Sequence, residues 1–251
     1  MRPSCYALFS TVRKFCTINY NARKPKNVNI SNKVTWNEKQ LEIIEAVKRG
    51  KSVFITGSAG TGKTMLIEHL IELLVKNHGI NTVYVMAPTH IAACAVRGQT
   101  LYSFAGVGLA EADAQTLVST VKGNDRACNR WKQAKALVID EINMVDKNLF
   151  DKFEYIGRKV RCESGNDNKP WGGIQLVVCG DFFQLPPDNA KFAFEADYWE
   201  LSFQLFVQLE TVFRQSNSEH VKLLEGIRVG VIDGKSLEFL QQRCCKEEPP
   251  R

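Results

Sequence analysis

The stretch that decides the fold reads Gly57-Ser58-Ala59-Gly60-Thr61-Gly62-Lys63-Thr64. It fits the pattern G-x-x-x-x-G-K-[ST] at every position. An apolar run predicted as a strand, Ser52–Thr56, precedes it, and a helical pattern, Met65–Lys76, follows it. The backbone N–H groups of such a strand–loop–helix unit wrap phosphate groups, helped by the positive end of the helix. We therefore predict that all eight residues contact a nucleoside triphosphate. The alternative is a glycine-rich turn that matches the pattern by chance.

Two acidic residues follow a later apolar strand, Ala136–Ile139. They are Asp140 and Glu141. In P-loop NTPases the loop lysine reaches the β- and γ-phosphates, and Mg²⁺ is held by the loop hydroxyl and the first strand-end acid. We predict Lys63 at the phosphates, Thr64 and Asp140 at Mg²⁺, and Glu141 at the attacking water, with ATP as the substrate. Taken alone, such an acidic pair would be a helix cap or a solvated corner.

Two further polar residues are candidates for the γ-phosphate. Gln184 lies in Gly180-Asp-Phe-Phe-Gln-Leu-Pro-Pro187, directly after a predicted strand, and its amide could sense that phosphate. Arg214, after Phe213, could stabilise charge on it in the transition state. From physics alone both signals are modest, because Asp181 could simply cap a turn and an arginine after a strand is commonly a surface residue.

Short apolar strands alternate with helices along the rest of the folded chain. Besides Ser52–Thr56, we predict strands at Thr82–Ala87, Ala136–Ile139, Gln175–Cys179 and Phe203–Leu209. Alternating strands and helices imply parallel βαβ units, and continuously apolar strands are typical of a sheet with both faces covered. The sequence therefore predicts an α/β fold, a parallel sheet covered by helices on both faces.

The net charge of +6 comes from the first 33 residues, which carry seven Lys and Arg and no acidic residue. The remainder is close to neutral, so the overall charge does not argue for DNA binding. Within this leader six apolar or cysteine positions recur at helical spacing: Cys5, Leu8, Phe9, Val12, Phe15 and Cys16. An amphipathic, basic, acid-free leader is typical of a mitochondrial transit peptide. The alternative is a disordered basic tail in a nuclear protein.

The eight cysteines and four histidines are scattered, and no C-x-x-C pair occurs. Neither a zinc site nor a disulfide framework is predicted. No apolar stretch approaches the length needed to span a membrane, so no membrane partner is expected.

The motifs together resemble a known family. Gly57–Thr64, Asp140–Glu141, Gly180–Pro187 and Phe213-Arg-Gln215 are similar to motifs one to four of superfamily-one helicases, in the same order. Trp36-Asn-Glu-Lys-Gln40 resembles the upstream Q motif, in which Gln40 would read the adenine. Three stretches narrow the resemblance to the PIF-type (petite integration frequency) DNA helicases: Ala87–Ala93, Gly98–Gly106, and Leu149–Glu154 through Pro170–Leu176. The resemblance covers about Val34–Arg243.

This resemblance implies a RecA-like P-loop NTPase domain and an ATP-driven, 5′-to-3′ translocase that unwinds DNA in telomere maintenance, repair and recombination. Its partners would be single-stranded DNA and DNA junctions. The residues implied to contact DNA are Thr89, Thr100, Tyr102, Ser103 and Phe104, with core packing as an alternative for both aromatic rings. Two positions depart from the family pattern, Tyr102 where histidine is usual and His90 where glycine is common.

The domain organisation predicted is a leader at 1–33, a first RecA-like motor domain at 34–243 and a disordered tail at 244–251. The family places ATP between two RecA-like domains, and no motif of the second follows here. Three hypotheses result. The chain is the N-terminal motor half of a helicase, a truncated protein that binds ATP and DNA without efficient hydrolysis or unwinding, or an NTPase with another track such as RNA.

Overall fold

Six parallel strands form one sheet in a computed structural model that describes residues 35–162, 168–187, 191–213, 218–234 and 237–240. The strands are β1 (Val53–Gly57), β2 (Val83–Ala87), β3 (Gln99–Thr100), β4 (Ala136–Ile139), β5 (Gln175–Cys179) and β6 (Leu205–Leu209). Their order across the sheet is β3-β2-β4-β5-β1-β6. The register pairs Val53 with Val177 of β5 and with Leu205 of β6. The carboxyl ends of β1, β4 and β5 therefore lie side by side at one edge.

Nine α-helices connect and cover these strands in the described residues. They are α1 (Glu38–Lys48), α2 (Lys63–His78), α3 (His90–Ala95), α4 (Leu101–Ala105), α5 (Ala114–Lys122), α6 (Asp125–Gln133), α7 (Lys147–Val160), α8 (Trp199–Ser202) and α9 (Ser218–Arg228). Short 3-10 turns occur at Ile80–Thr82, Ile142–Met144, Pro170–Gly173 and Ala193–Glu195. Within the described ranges, no helix is both long and apolar enough to cross a membrane.

Both faces of the sheet are buried, as the continuously apolar strands predict. Every residue of β4 and β5 is buried. On one face Phe54, Leu137 and Val178 join an aromatic-rich core that includes Trp131 and Phe150. The alternating positions of the same strands are buried on the other face, where α1 and α2 pack against β1. The predicted α/β sheet with helices on both faces is confirmed.

The boundaries of the elements differ from the predicted ones by a few residues. The predicted strand at Phe203–Leu209 begins only at Leu205, and Thr82 belongs to a 3-10 turn rather than to β2. Sequence periodicity did not identify α4 to α9, which are short or mixed in polarity, or the two-residue strand β3. Contacts divide the chain into two units, Met1–Asn37 and Glu38–Arg251. The predicted leader, the tail after position 243 and Arg214 lie outside the described residues, so those predictions stand untested.

Candidate nucleotide and nucleic-acid site

The loop between β1 and α2 has the backbone that a phosphate site requires. Gly60 and Gly62 have φ angles of 86° and 84°, in the region that favours glycine. A Cβ added at Gly57 would lie 2.5 Å from the carbonyl oxygen of Leu209 on the neighbouring strand β6. The loop therefore passes so close to β6 that only glycine fits at its first position.

The start of α2 is available to a negatively charged group. Among the described residues no side chain caps this 16-residue helix, whose first turn contains no acidic residue. The positive end of the helix dipole is therefore not compensated by a carboxylate of the helix's own first turn. Thr64 lies in this first turn, directly after Lys63. A phosphate group can satisfy the exposed N–H groups here.

Lys63 lies folded across the phosphate loop. Its Nζ donates hydrogen bonds to the carbonyl oxygens of Gly57 at 2.6 Å and Ser58 at 2.8 Å. Thr61 also closes the loop, because its hydroxyl donates to the oxygen of Ser58 at 2.9 Å. The ammonium group is thus already positioned in the loop by the backbone that would surround the phosphates.

The two carboxylates after β4 share electrostatic neighbours. Burial raises the pKa of Asp140, while the N–H of Glu141 and the charge of Lys63 act in the opposite direction. Burial and then the charge of Asp140 raise the pKa of Glu141, which the charge of Lys63 again opposes. The charge of Lys63 therefore acts on both acids, which places Lys63, Asp140 and Glu141 in one region of the molecule.

The backbone at Glu141 is unusual for a residue with a side chain. Its φ and ψ are 54° and 44°, in the left-handed region, and its N–H donates to the Asp140 carboxylate at 3.0 Å. Left-handed conformations of non-glycine residues are costly and are concentrated at functional sites. The turn keeps Glu141 beside Asp140 at the end of the strand instead of letting a regular helix begin.

The segment Gly180–Pro187 follows β5 and contacts the segment after β4. Gln184 donates from Nε2 to the Asp181 carboxylate at 3.2 Å. Asn143 accepts a hydrogen bond from the Asp181 N–H at 3.3 Å and donates to the Leu185 oxygen at 3.1 Å. The sequence analysis did not identify Asn143. Its only signal was that it is a polar residue three positions after Asp140. This amide joins the two segments that carry Glu141 and Gln184.

Two other predicted elements reach the phosphate loop. Gln40, which is 3% exposed, places its Nε2 3.1 Å from where a Cβ on Gly62 would lie. Phe213 donates its N–H to the Gly60 oxygen at 2.8 Å. Gln40 and the residue preceding Arg214 are therefore beside the loop, although Arg214 itself is not described.

The donor set suits magnesium that arrives with a nucleotide. Within the described part of the chain, no three His, Cys, Asp or Glu side chains form a group that could hold a metal ion. Mg²⁺ at Thr64 and Asp140 would therefore take most of its oxygen ligands from phosphate and water. That arrangement is usual for Mg²⁺ in nucleotide sites.

Comparison with known proteins decides the family. The family model described as PIF1-like helicase matches residues 35–227 of this chain. The chain belongs to that family.

The relatives of this PIF1-like helicase chain are longer than the chain itself. An ATP-dependent DNA helicase PIF1 from Emericella nidulans is 43% identical over 212 residues, which make up 81% of this chain and 28% of the relative. The Pif1 helicase from Candida albicans is similar in structure, with a TM-score of 0.79, 36% identity, and coverage of 87% of this chain and 50% of that one. A Bacteroides Pif1 helicase in complex with ADP-AlF3 and ssDNA has a TM-score of 0.70 at 27% identity, covering 87% and 52%. The chain therefore spans less than a third of the curated relative and about half of the solved chains.

The residues predicted to contact DNA in this PIF1-like chain lie at two helix starts. The Thr89 hydroxyl caps α3 by accepting the Ala92 N–H at 3.1 Å. The Thr100 hydroxyl caps α4 by accepting the Ser103 N–H at 3.2 Å. Both hydroxyls therefore have a structural role as N-caps. A DNA contact there would be made by helix-start N–H groups as well as by side chains.

The aromatic residues of α4 have different surroundings. Phe104 is fully buried, and its ring lies 4.9 Å from that of Tyr84 and 4.8 Å from that of Trp131. Of the two interpretations of Phe104, core packing describes its side chain, because a ring in this position cannot stack on a base. Tyr102 is half-buried against the same core, and Ser103 is exposed. Tyr102 and Ser103 keep their predicted role as a proposal.

Proposed function

We propose that this chain is the ATP-binding motor half of a DNA helicase. ATP hydrolysis would be coupled to 5′-to-3′ movement along single-stranded DNA and to unwinding. The observation that carries the proposal is the convergence of Lys63 with Asp140 and Glu141 at a glycine-lined loop. Membership of the PIF1-like helicase family supports the same conclusion.

Each residue has a distinct role in the proposed reaction. Lys63 would exchange its two carbonyl partners for β- and γ-phosphate oxygens, which leaves its charge where it is. Thr64 and Asp140 would hold Mg²⁺, which would neutralise part of the negative charge of the phosphates. Glu141 would accept a proton from the attacking water.

Gln184, Arg214 and Gln40 complete the proposed nucleotide contacts. Gln184 would sense the γ-phosphate through its side-chain amide, which donates a hydrogen bond to Asp181. Arg214 would stabilise transition-state charge. Gln40 would read the adenine, and its burial beside Gly62 supports a role at the nucleotide.

The nucleotide site is tested by Lys63→Ala. Binding of a fluorescent ATP analogue should be lost, because the variant removes the ammonium group held in the loop. Lys51→Ala is the matched control, since Lys51 is exposed just before β1 and should bind as the parent does. Unchanged affinity in Lys63→Ala would remove the phosphate-loop assignment.

For DNA, we propose that single-stranded DNA and DNA junctions lie across the starts of α3 and α4, at Thr89, Thr100, Tyr102 and Ser103. Hydroxyl and N–H groups there would bind phosphates without reading sequence. Replacing Ser103 by Asp puts a negative charge at an exposed position of α4 and should weaken oligonucleotide binding. Equal affinity in Ser103→Asp would contradict the proposed track.

The alternative function is a protein that binds ATP and DNA without efficient hydrolysis or unwinding. It predicts that the protein binds nucleotide but that single-stranded DNA does not raise its rate of ATP hydrolysis.

The cellular location and pathway are also proposals. Residues 1–33 would direct import into the mitochondrion, with the nucleus as the alternative, and the roles would be in DNA repair, recombination and telomere maintenance. Fusing residues 1–33 to a fluorescent reporter tests the location, and a reporter that stays outside the organelle would contradict it.

A further inference from the structure

One side chain of helix α9 contacts the segment Gly180–Pro187. Arg228, the last residue of α9, contacts Asp181 with Nη2 to Oδ1 at 2.7 Å and Nε to Oδ2 at 2.9 Å. The side chains are 14% and 1% exposed. Two parallel, largely buried, charge-assisted hydrogen bonds fix the direction of the carboxylate as well as its charge.

The same carboxylate holds the rest of the segment. Asp181 Oδ1 also accepts the Phe183 N–H at 3.2 Å, and Oδ2 also accepts Gln184 Nε2 at 3.2 Å. The guanidinium of Arg228 lies 4.6 Å from the centre of the Phe183 ring. The conformation of Phe183 and the position of the Gln184 amide therefore both depend on a carboxylate that Arg228 holds.

A continuous set of contacts leads from this ion pair to Glu141. Asn143 accepts the Asp181 N–H, and its side chain also hydrogen-bonds to Glu141. Arg228 is the cation paired with Asp181, so its removal would disturb the geometry of the contacts that lead to Glu141.

We propose that Arg228 is a positioning residue that presents Gln184 to the γ-phosphate by holding Asp181. The inference rests on the proposed function as an ATP-binding motor. It assigns α9 a task in the nucleotide site, since a movement of α9 would move Asp181 and with it Gln184. Arg228 itself is not required to touch the nucleotide.

The test is the preference of the 251-residue chain for a slowly hydrolysed ATP analogue over ADP, measured by isothermal titration. Arg228→Met should lower this preference about tenfold, the factor expected for one lost charge-assisted hydrogen bond, and should leave ADP affinity nearly unchanged. Arg228→Lys keeps the charge but not the paired geometry, so it should restore only part of the preference. A purely structural role would weaken both nucleotides alike.

Glu225→Gln is the matched control. Glu225 is the other partner of Arg228, at 3.3 Å from Nη1, and its removal leaves the Asp181 pair in place. This variant should keep the full preference for ATP.

The possible failures can be told apart. Lys63→Ala that still binds both nucleotides would overturn the proposed nucleotide function. If Lys63→Ala loses nucleotide binding while Arg228→Met keeps the parent's preference for the ATP analogue over ADP, only the role of Arg228 would be overturned. If Arg228→Met does not fold, Arg228→Lys decides: a full preference for ATP, with unchanged amide hydrogen exchange at Phe183 and Gln184, would overturn the inference.

Discussion

Three carboxylates stand near the carboxyl ends of β4 and β5, and two cations face them. Lys63 acts on Asp140 and Glu141, and Arg228 pairs with Asp181. Each cation is held by several hydrogen bonds, Lys63 by the loop carbonyls and Arg228 by a carboxylate. Both cations of the site are thus fixed by hydrogen bonds.

The Asp181–Arg228 pair predicts how the stability of the chain depends on pH. Burial would raise the pKa of Asp181, but the hydrogen bonds and charge of Arg228, with the Phe183 N–H, outweigh it and hold the pKa below its usual value. The Asp181 carboxylate takes up its proton at a lower pH in the folded protein than in the unfolded chain. The pair therefore stabilises the fold at neutral pH. That contribution is lost as the pH falls through the lowered pKa.

Arg228→Met should therefore cost about 3 kcal/mol at neutral pH, the lower end for leaving one buried charge unpaired. Without the cation, burial raises the pKa of Asp181, so the loss relative to the parent should shrink as the pH falls from about 7 toward about 4. Urea unfolding across this range measures both effects. Glu225→Gln should behave as the parent does, and a loss independent of pH would contradict the assignment to Asp181.

At the scale of elements, α4 is held in place by side chains of α6. Arg130 donates to the oxygens of Phe104 at 2.9 Å and Ser103 at 3.0 Å, and Trp131 Nε1 donates to the oxygen of Ala105 at 3.3 Å. These bonds satisfy three carbonyl groups at the end of a five-residue helix, which has little stability of its own. The proposed DNA-contacting helix is therefore positioned by its neighbour.

Weakening the contact between α6 and α4 should weaken DNA binding without affecting nucleotide binding. We expect Arg130→Met to reduce affinity for a single-stranded oligonucleotide about threefold to tenfold, in line with the loss of its hydrogen bonds to α4. Fluorescence anisotropy measures this affinity, and ATP-analogue binding should be unchanged. Trp131→Phe keeps the buried ring but removes the Nε1 donor, so it should act in the same direction without a change of charge.

Arg126→Met is the control for charge alone, because Arg126 is an exposed cation on the same helix. If it weakens DNA binding as much as Arg130→Met does, the effect is electrostatic attraction and not the position of α4.

The close approach of the phosphate loop to β6 leads to a second prediction at the scale of elements. Gly57→Ala should destabilise the fold by about 1–3 kcal/mol and abolish nucleotide binding, because the new methyl group must push the Leu209 carbonyl away. Thermal unfolding and nucleotide titration test this. Gly123→Ala is the control, since Gly123 has a right-handed helical backbone and a Cβ there would lie 3.4 Å from the Ser119 oxygen. A Gly57→Ala protein that binds nucleotide normally would show that the loop does not need this approach.

At the scale of the whole molecule, the described residues contain one sheet and one phosphate loop. The family resemblance implies that a motor moves when ATP closes a cleft between two RecA-like domains. Purified as these 251 residues, the protein should bind ATP but hydrolyse it slowly, with little stimulation by single-stranded DNA. Steady-state ATPase assays with and without an oligonucleotide measure this, and robust unwinding of a forked duplex would prove it wrong.

The sequence by itself determined the α/β class and predicted the residues of the nucleotide site. Both depend on local patterns: alternating apolar strands and helices, the eight-residue loop, and the acids directly after β4. Each strand, helix, loop or acidic pair is recognised from neighbouring residues, where backbone geometry follows from residue type. Gln40 and the segment at Phe213 were assigned by the order of motifs in a family, and the structure places both beside the loop.

The tertiary structure alone decided which distant residues meet. Arg228 and Asp181 are 47 positions apart, Asn143 and Leu185 are 42 apart, and Arg130 and Ser103 are 27 apart. It also decided that Phe104 packs in the core, a choice the sequence left open. Such contacts depend on the order of strands across the sheet and on the packing of helices over it. No local pattern encodes them, because they form only when the whole sheet brings its carboxyl ends together.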